Sequence, residues 1–510
     1  MDLSTQEGRR KCVDYIESNQ NKGRKAEVYK QSEVYNDRIK QFVISNLREQ
    51  FSEGTVKEMP IISHVNVCKR IVNQQASIYS EEPERDWTDI SEDQKEIAWK
   101  IYHEMRANKK LSVANRYYKN HKQCLLWMIP DDGKLTLRVL KPYQWDAIPN
   151  EINPERADAY IISAYDNHDE LLQAAQEPIT GTGFKSNADT STENYKQSLA
   201  FKKDQELSRK TYLVWTPEIN FVMNGLGEIK GETLENPLRA FGEMPFIEIS
   251  DEKEFEYWVR QANAASEFTI SINSRMSEVA QVVKMQGFSQ AIIKGPREML
   301  MENYQIGPNF ILRLPVEKEQ GVETSFEYAN PGSDIAGAIS FLETQLSGFL
   351  TAEGIDPKTV SLNGESQQFS SGLERLLSLI DKFAATRNDF DIFQHAETKL
   401  WELIKMWSVV LASADNIKPE LKLGAINMDS EVNVNFHQPE MVMSAGDKLD
   451  MAQRKIDLGI SSAIREIELM ENVSREDAEA KYKQYQIDQG LDFGDSGQDQ
   501  TEQERSQSEL

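Results

Sequence analysis

The sequence predicts an α+β fold that is mostly helical. Three observations carry that expectation. From Ser371 to Leu411 apolar residues recur at helical spacing, with no proline and no glycine beyond Gly372. From Cys124 to Leu140 the runs CLLWMI and KLTLRVL are joined by PDDG, which reads as a hairpin turning at Asp132-Gly133. Two further helical stretches, Asp251–Lys284 and Ile335–Ala352, enclose three short β-like runs at Ala291–Ile293, Phe310–Leu314 and Thr324–Tyr328.

The elements follow in order. Thr5 to about Gln50 reads as polar helix whose apolar positions, among them Val13, Ile16, Val28, Ile39, Phe42 and Val43, are thin enough to place it on the outside. A helix over Asn66–Tyr79 turns Val67, Ile71, Val72 and Ile78 inward. Ser91 and Gln94 cap another, which carries Ile97, Ile101 and Met105, and Leu111–His121 continues the helical part. After the hairpin, strands are expected at Tyr160–Ala164, Thr211–Trp215 and Ile219–Met223. Between them Gln173–Lys210 is rich in Gly, Ser, Thr, Asn and Lys and reads as a flexible excursion.

Asp251, Glu252 and Glu254 place negative charge at the expected start of the next helix. Its small residues, such as Ala264, Ala265, Ser266 and Ser274, suit close packing. A helical turn is expected at Pro296–Asn303. Ile335–Ala352 leads into the polar loop DPKTVSLNGESQQF, where Pro357 and Gly364 oppose helix. The long helix opens at Ser371 and Glu374, which have capping-box spacing. Val432, Val434 and Phe436 alternate with Asn433 and Asn435 as a half-buried strand does. Helices are expected at Ser444–Leu458 and Ala463–Glu471, and a last one capped by Ser474 and Asp477. The residues from Gln489 onward read as an acidic disordered tail.

Composition limits the function. The 510 residues carry a formal net charge of −25. That argues against clamping nucleic acid, which needs clustered Lys and Arg, but not against a surface past which DNA slides. Cys12, Cys68 and Cys124 form no CxxC, so neither a disulfide framework nor a zinc site is expected. The opening MDLSTQEGRRKC lacks the apolar core of a signal peptide, and no apolar run approaches a membrane span. Cytosolic synthesis is the expectation.

Catalytic motifs are missing. There is no Walker A loop, and Gly225, Gly227, Gly231 and the Gly181-Thr-Gly183 pair read as turn formers. The six histidines, His64, His103, His121, His168, His395 and His437, are dispersed and read as structural or exposed. Asp389 and Asp391 read as helix-surface charge, the latter within ion-pair reach of Arg387. No catalytic residue, metal ligand or cofactor is assigned.

The order helix, small module, helix, polar loop, long helix resembles the portal proteins of tailed bacteriophages, most of all the branch from long-tailed phages of Gram-positive hosts. Local stretches support the resemblance: SHVNVCKRIVNQQASIY from Ser63, RAFGEMPFIEI from Arg239, FSSGLERLLSLIDKF from Phe369, and KLDMAQRKIDLGISSAIREIELMENVSREDAEAKY from Lys448. It covers roughly Gln50 to Gln489. The family's N-terminal Tyr-Gly element and a proline within the last stretch are not matched.

The resemblance implies a ring, usually a homododecamer, at a capsid vertex of the virion, assembled in the host cytoplasm. Double-stranded DNA passes through its channel during packaging and ejection. The terminase large subunit, the head–tail adaptor, and the major capsid and scaffolding proteins are the implied partners; no membrane is. It divides the chain into an N-terminal arm (1–62), a first wing part (63–250), a first stem helix (251–284), a clip (285–330), a second stem helix (331–355), a tunnel loop (356–370), a long wing helix with its returning strand (371–443), a crown (444–488) and a tail (489–510). In the tunnel loop Asp356, Lys358, Ser361, Asn363, Glu365, Gln367 and Gln368 would face DNA. In the clip Lys294, Arg297, Glu298, Glu302 and Arg313 would face terminase or adaptor. Two other classes compete: a helical scaffold or adaptor with no channel, and an enzyme of nucleic-acid processing, against which the missing phosphate loop weighs.

Overall fold

Helices and mainly antiparallel sheets alternate along the chain, and helix predominates. The structure, a computed structural model, describes residues 2–131, 134–163, 207–259, 264–286, 290–295, 312–315, 325–329, 334–355, 357, 372–412, 426–436, 452–454, 456–457, 461–471 and 475–488. It divides into two compact units. The first holds 1–368 and 377–439, the second 369–376 and 440–510.

The N-terminal stretch is three helices, not one: α1 (Gln6–Ile16), α2 (Asn19–Tyr35) and α3 (Lys40–Gln50). Ser18 caps α2 by accepting from the Asn21 N–H, and Asp37, at φ 66°, ends it. The expectation of an outside position is overturned. Cys12, Val13 and Ile16 are buried against a sheet, and Val34, Phe42, Val43 and Leu47 against helices. Few apolar residues suffice because each falls on the covered face. Two shorter helices follow, α4 (Glu53–Glu58) and α5 (Val67–Gln75), the latter capped by Asn66.

A strand not foreseen, β1 (Glu84–Thr88), pairs antiparallel with β13 (Glu431–Asn435), Arg85 opposite Val434 and Trp87 opposite Val432. The foreseen alternation of Val432 and Val434 is observed. Helices α6 (Glu92–Glu104), with its Ser91–Gln94 capping box, and α7 (Ala107–His121) precede the hairpin β2 (Gln123–Asp131) and β3 (Lys134–Leu140). β2 is central in the order β3-β2-β9, with β9 (Phe246–Ser250) on its other edge. It is apolar throughout because both faces are covered: Cys124, Leu126 and Met128 join the largest core, whereas Leu125 and Trp127 meet clusters on the other face.

The second sheet is five-stranded and antiparallel, in the order of the chain: β4 (Trp145–Pro149), β5 (Ala157–Ser163), β6 (Thr211–Trp215), β7 (Ile219–Asn224) and β8 (Leu234–Glu235). β4 was not foreseen. Residues 164–206, most of the expected excursion, lie outside the described residues. Its last residues, Leu207–Lys210, are ordered: the Leu207 carbonyl accepts from the Gly225 N–H, and a Cβ on Gly225 would collide with it. The Gly225–Gly227 turn is as expected, with Gly227 at φ 74°.

The helix expected from Asp251 begins instead at Ala264. Residues 251–259 are irregular, with Phe255 at φ 57°, and α8 spans Ala264–Gln286. Three short strands follow, β10 (Gln290–Gly295), β11 (Leu312–Pro315) and β12 (Ser325–Ala329), then α9 (Ile335–Ala352) and the long α10 (Gly372–Ala412). From Phe393 to Leu411, α10 buries Phe393, Leu400, Trp401, Ile404 and Trp407 in the main core with α6, α7 and β2. Each such side chain contributes about 2 kcal/mol by burial, so this half of α10 is firmly held. The expected turn at Pro296–Asn303 and the tail lie outside the described residues, as does most of Ser444–Leu458.

The second unit contains α11 (Ala463–Glu471) and α12 (Arg475–Asp488). Ser462 starts α11 by accepting from the Arg465 N–H, 3.3 Å.

Candidate functional site

The two helices that enclose the small three-stranded sheet are built differently. α8 is covered on nearly all sides. Thr269, Asn273 and Ser277 stand four residues apart and therefore share one face, and together they hold the extended segment Ile62–Asn66 and the first turn of α5. Thr269 Oγ1 accepts from the Cys68 N–H at 2.8 Å and donates to the Ala265 carbonyl at 2.8 Å. Asn273 Nδ2 donates to the Val65 carbonyl, 2.7 Å, while its Oδ1 accepts from the Val65 N–H, 3.2 Å. Ser277 Oγ accepts from the Ile62 N–H, 2.8 Å. A strand-like segment without a strand neighbour thus satisfies its backbone on helix side chains. Lys30 of α2 ties the start of α8 through Glu267, 2.5 Å.

α9 buries a single stripe, Leu342, Leu346 and Leu350, with Phe349 stacked on Phe268 of α8 at 4.1 Å and 8°. Asp334 caps it by accepting from the Gly337 N–H, 2.7 Å; a Cβ on Gly337 would strike that carboxylate. Its end is a Schellman cap. Gly354 stands at φ 69°, and Ile355 N–H donates back to the Leu350 carbonyl at 2.8 Å. Ile355 is buried, which fixes where the chain leaves towards the polar loop. The face of α9 opposite that stripe is exposed and uncharged: Ser340, Phe341, Thr344, Gly348 and Thr351. Phe341 there is 56% exposed, with the Arg275 guanidinium of α8 5.9 Å from its ring centre; Ile339, three residues before Leu342 and so in line with the packed stripe, is 47% exposed, and Val283 on α8 is 44%. Glu343 is the one charged residue of α9, in a chain of which 28% is charged.

The sheet between these helices has the order β11-β10-β12, with β10 parallel to β11 and antiparallel to β12. A parallel pair needs a crossover between its strands; residues 296–311 lie outside the described residues. Lys294 pairs with Leu314 and Ser325; Arg313 pairs with Ile293. These two expected clip residues therefore lie on neighbouring strands, one register position apart. Arg297, Glu298 and Glu302 lie outside the described residues. So do Asp356, Lys358, Ser361, Asn363, Glu365, Gln367 and Gln368 of the expected tunnel loop.

Elsewhere a cleft of about 620 Å³ is lined by Tyr15, Asn21, Arg24, Glu27, His121 and Trp258 among others. Its polar atoms are already engaged. The Arg24 guanidinium lies 3.4 Å over the Trp258 ring and donates to Asn21, to the Pro142 carbonyl and to Asp146. Asp146, fully buried, also accepts from Lys25 at 2.5 Å. His121 bonds Gln31 Oε1 through Nδ1, 3.2 Å, and Asn120 Nδ2 through Nε2, 3.3 Å. Burial, with the Lys141 charge, pushes its pKa down to about 3, so the ring is neutral. Groups spent on one another in this way brace the wall rather than wait for a ligand.

Other buried charges are likewise paired. Glu17 binds Lys210, Lys22 and Tyr212; burial alone would raise its pKa, but those hydrogen bonds bring it down to about 2. Arg85 and Glu397, both fully buried, pair at 2.6 Å. Asp389 corrects the surface reading: it is buried and pairs with Lys119 of α7 at 2.6 Å. Burial pushes its carboxyl up although Lys119 opposes this. Asp391 is exposed, as expected. Burial raises the thiols of Cys12 and Cys68 to about 12, which leaves both inert. Among the described residues no group of three side chains could hold a metal ion, and no helix is long and apolar enough to cross a membrane.

Sequence reasoning missed the Thr269–Asn273–Ser277 ladder. Its signal was there, in Thr269, Asn273 and Ser277 at a spacing of four along one face of the helix. It also missed Asp146 and Glu397, whose partners are more than 100 residues away. Comparison with protein-family models finds no match to this chain, and comparison with curated proteins finds none either.

Proposed function

We propose that this chain is a portal subunit of a tailed bacteriophage, one of a closed ring through which double-stranded DNA enters and leaves the capsid. The single observation that carries the reading is α9. It presents an uncharged face, with Phe341 exposed, along a helix whose other face is packed. Such a face in a strongly acidic chain asks for a neighbour of the same kind, and a head-to-tail contact that closes makes a ring. The hairpin of α8 and α9 capped by a small sheet supports the stem and clip roles, with Lys294 and Arg313 on that sheet offered to terminase and the head–tail adaptor. The net charge of −25 suits a passage that DNA must slide through without adhering.

Assembly tests the reading. Purified full-length chain should form closed rings in negative-stain images, at a native mass many times the 58.4 kDa of one chain. A folded monomer at all concentrations and ionic strengths would reject it and favour a scaffold or adaptor without a channel.

A further inference from the structure

Among the described residues, the two most exposed large apolar side chains stand on two neighbouring segments of the α/β layer. Ile152 is 95% and Phe255 86% exposed. They sit on different segments, the turn between β4 and β5 and the irregular stretch after β9, which Glu155 joins: its Oε1 accepts from the Phe255 N–H at 3.3 Å, and its carbonyl accepts from Lys253 Nζ at 2.7 Å. Ile152 is three residues from Glu155, within about 10 Å of chain reach.

Both are held firmly. Asn150 Oδ1 accepts from the N–H groups of Ile152 and Asn153, 2.9 Å each, and Asn150 Nδ2 donates to Asp158, 2.7 Å. On the other segment Lys253 pairs with Glu248 at 2.7 Å, and Tyr257 beside it is buried. Phe255 adopts φ 57°, a conformation a phenylalanine rarely takes, and gains little burial from it. The surround is acidic. Among the described residues of the two segments, Glu151, Glu155, Asp158, Glu252, Glu254 and Glu256 are exposed, against one exposed cation, Arg156.

We propose that Ile152 and Phe255 form a pre-organised docking point for a cationic amphipathic segment of a partner protein. Charge complementarity selects this occupant. Apolar side chains of the segment cover Ile152 and Phe255, and its Lys or Arg residues meet the surrounding carboxylates. The same carboxylates repel nucleic acid and anionic lipid. Two side chains present only a few hundred Å² between them, far below the roughly 800 Å² per partner of a stable dimer, so a short segment suits the patch better than a second copy. Rigid presentation lowers the entropy lost on binding. The inference does not rest on the portal reading.

The test uses the intact full-length chain and a fluorescent synthetic helix of Leu and Lys, with a Leu–Glu helix as control, read by anisotropy. The Leu–Lys helix should bind and the control should not. The Phe255→Gly, Ile152→Ser double variant should weaken binding about tenfold with an unchanged or raised melting temperature, since glycine relieves the backbone. Glu252→Gln with Glu254→Gln should weaken binding and flatten its salt dependence. Equal binding by wild type and the double variant would reduce the effect to general attraction by an acidic surface and overturn the proposal. So would no binding at all, a loss of stability on removing Phe255, or preferential binding to vesicles containing anionic lipid.

Discussion

At the scale of single residues, the chain buries charge only in company. His121 is the exception that stays neutral, and it gives a measurable consequence. Its pKa in the fold, about 3, lies far below the ordinary histidine value of 6.5. A group depressed in this way binds its proton more readily when unfolded, so its contribution to stability is whole above the unfolded value and shrinks as pH falls towards the folded one. Between pH 6.5 and 4.5 the melting temperature should therefore decline. In His121→Gln, which cannot titrate, the decline should be shallower. Glu17, at about 2, adds its own loss only below the ordinary glutamate value of 4.5, so the two windows are separable. An identical slope in wild type and variant would mean that His121 can be protonated without cost. Sequence reading left His121 as either structural or exposed, because no partner spacing suggested a ligand, and the structure buries it. It misplaced Asp389, because Lys119 lies 270 residues earlier and no local pattern records that meeting.

At the scale of elements, periodicity was the reliable guide. The long helix, the β2–β3 hairpin, α9 and the three short strands of the small sheet were all legible, with ends displaced by a few residues. What failed has physical causes. β1 reads ERDWT, and its charged residues hide a strand whose Arg85 is buried on Glu397. The start of α8 was misread because Asp251-Glu-Lys-Glu254 has helical composition, whereas Lys253 and Tyr257 are drawn into the sheet layer. The N-terminal helices were misjudged because a polar average conceals a correctly placed minority of apolar residues. The polar ladder of α8 is the element most open to test. Asn273→Ala strips both partners from the Val65 backbone, and each buried group left unpaired costs about 1–3 kcal/mol. The variant should melt several degrees lower, whereas Ser271→Ala, on the less buried side of the same helix, should melt almost as the parent. Equal melting of both would mean that the segment Ile62–Cys68 is held by its side chains instead.

At the scale of the whole molecule, the face of α9 acquires a further meaning through ionic screening. Each chain brings a charge of −25 to any assembly, so copies repel one another over a distance set by the Debye length, about 30 Å in 0.01 M salt and 3 Å in 1 M. A contact made through Phe341 and its uncharged neighbours on α9, with Arg275 of α8 the cation beside it, depends little on ion pairs that salt would weaken. Added salt then removes the repulsion and leaves the attraction nearly untouched. Rings should consequently become more abundant from 0.01 M to 1 M sodium chloride at fixed protein concentration, as sedimentation velocity would measure. Dissolution by salt over the same range would place charged side chains, not α9, at the joint. The molecule would thus couple its assembly to the ionic strength of its surroundings without any residue devoted to sensing it.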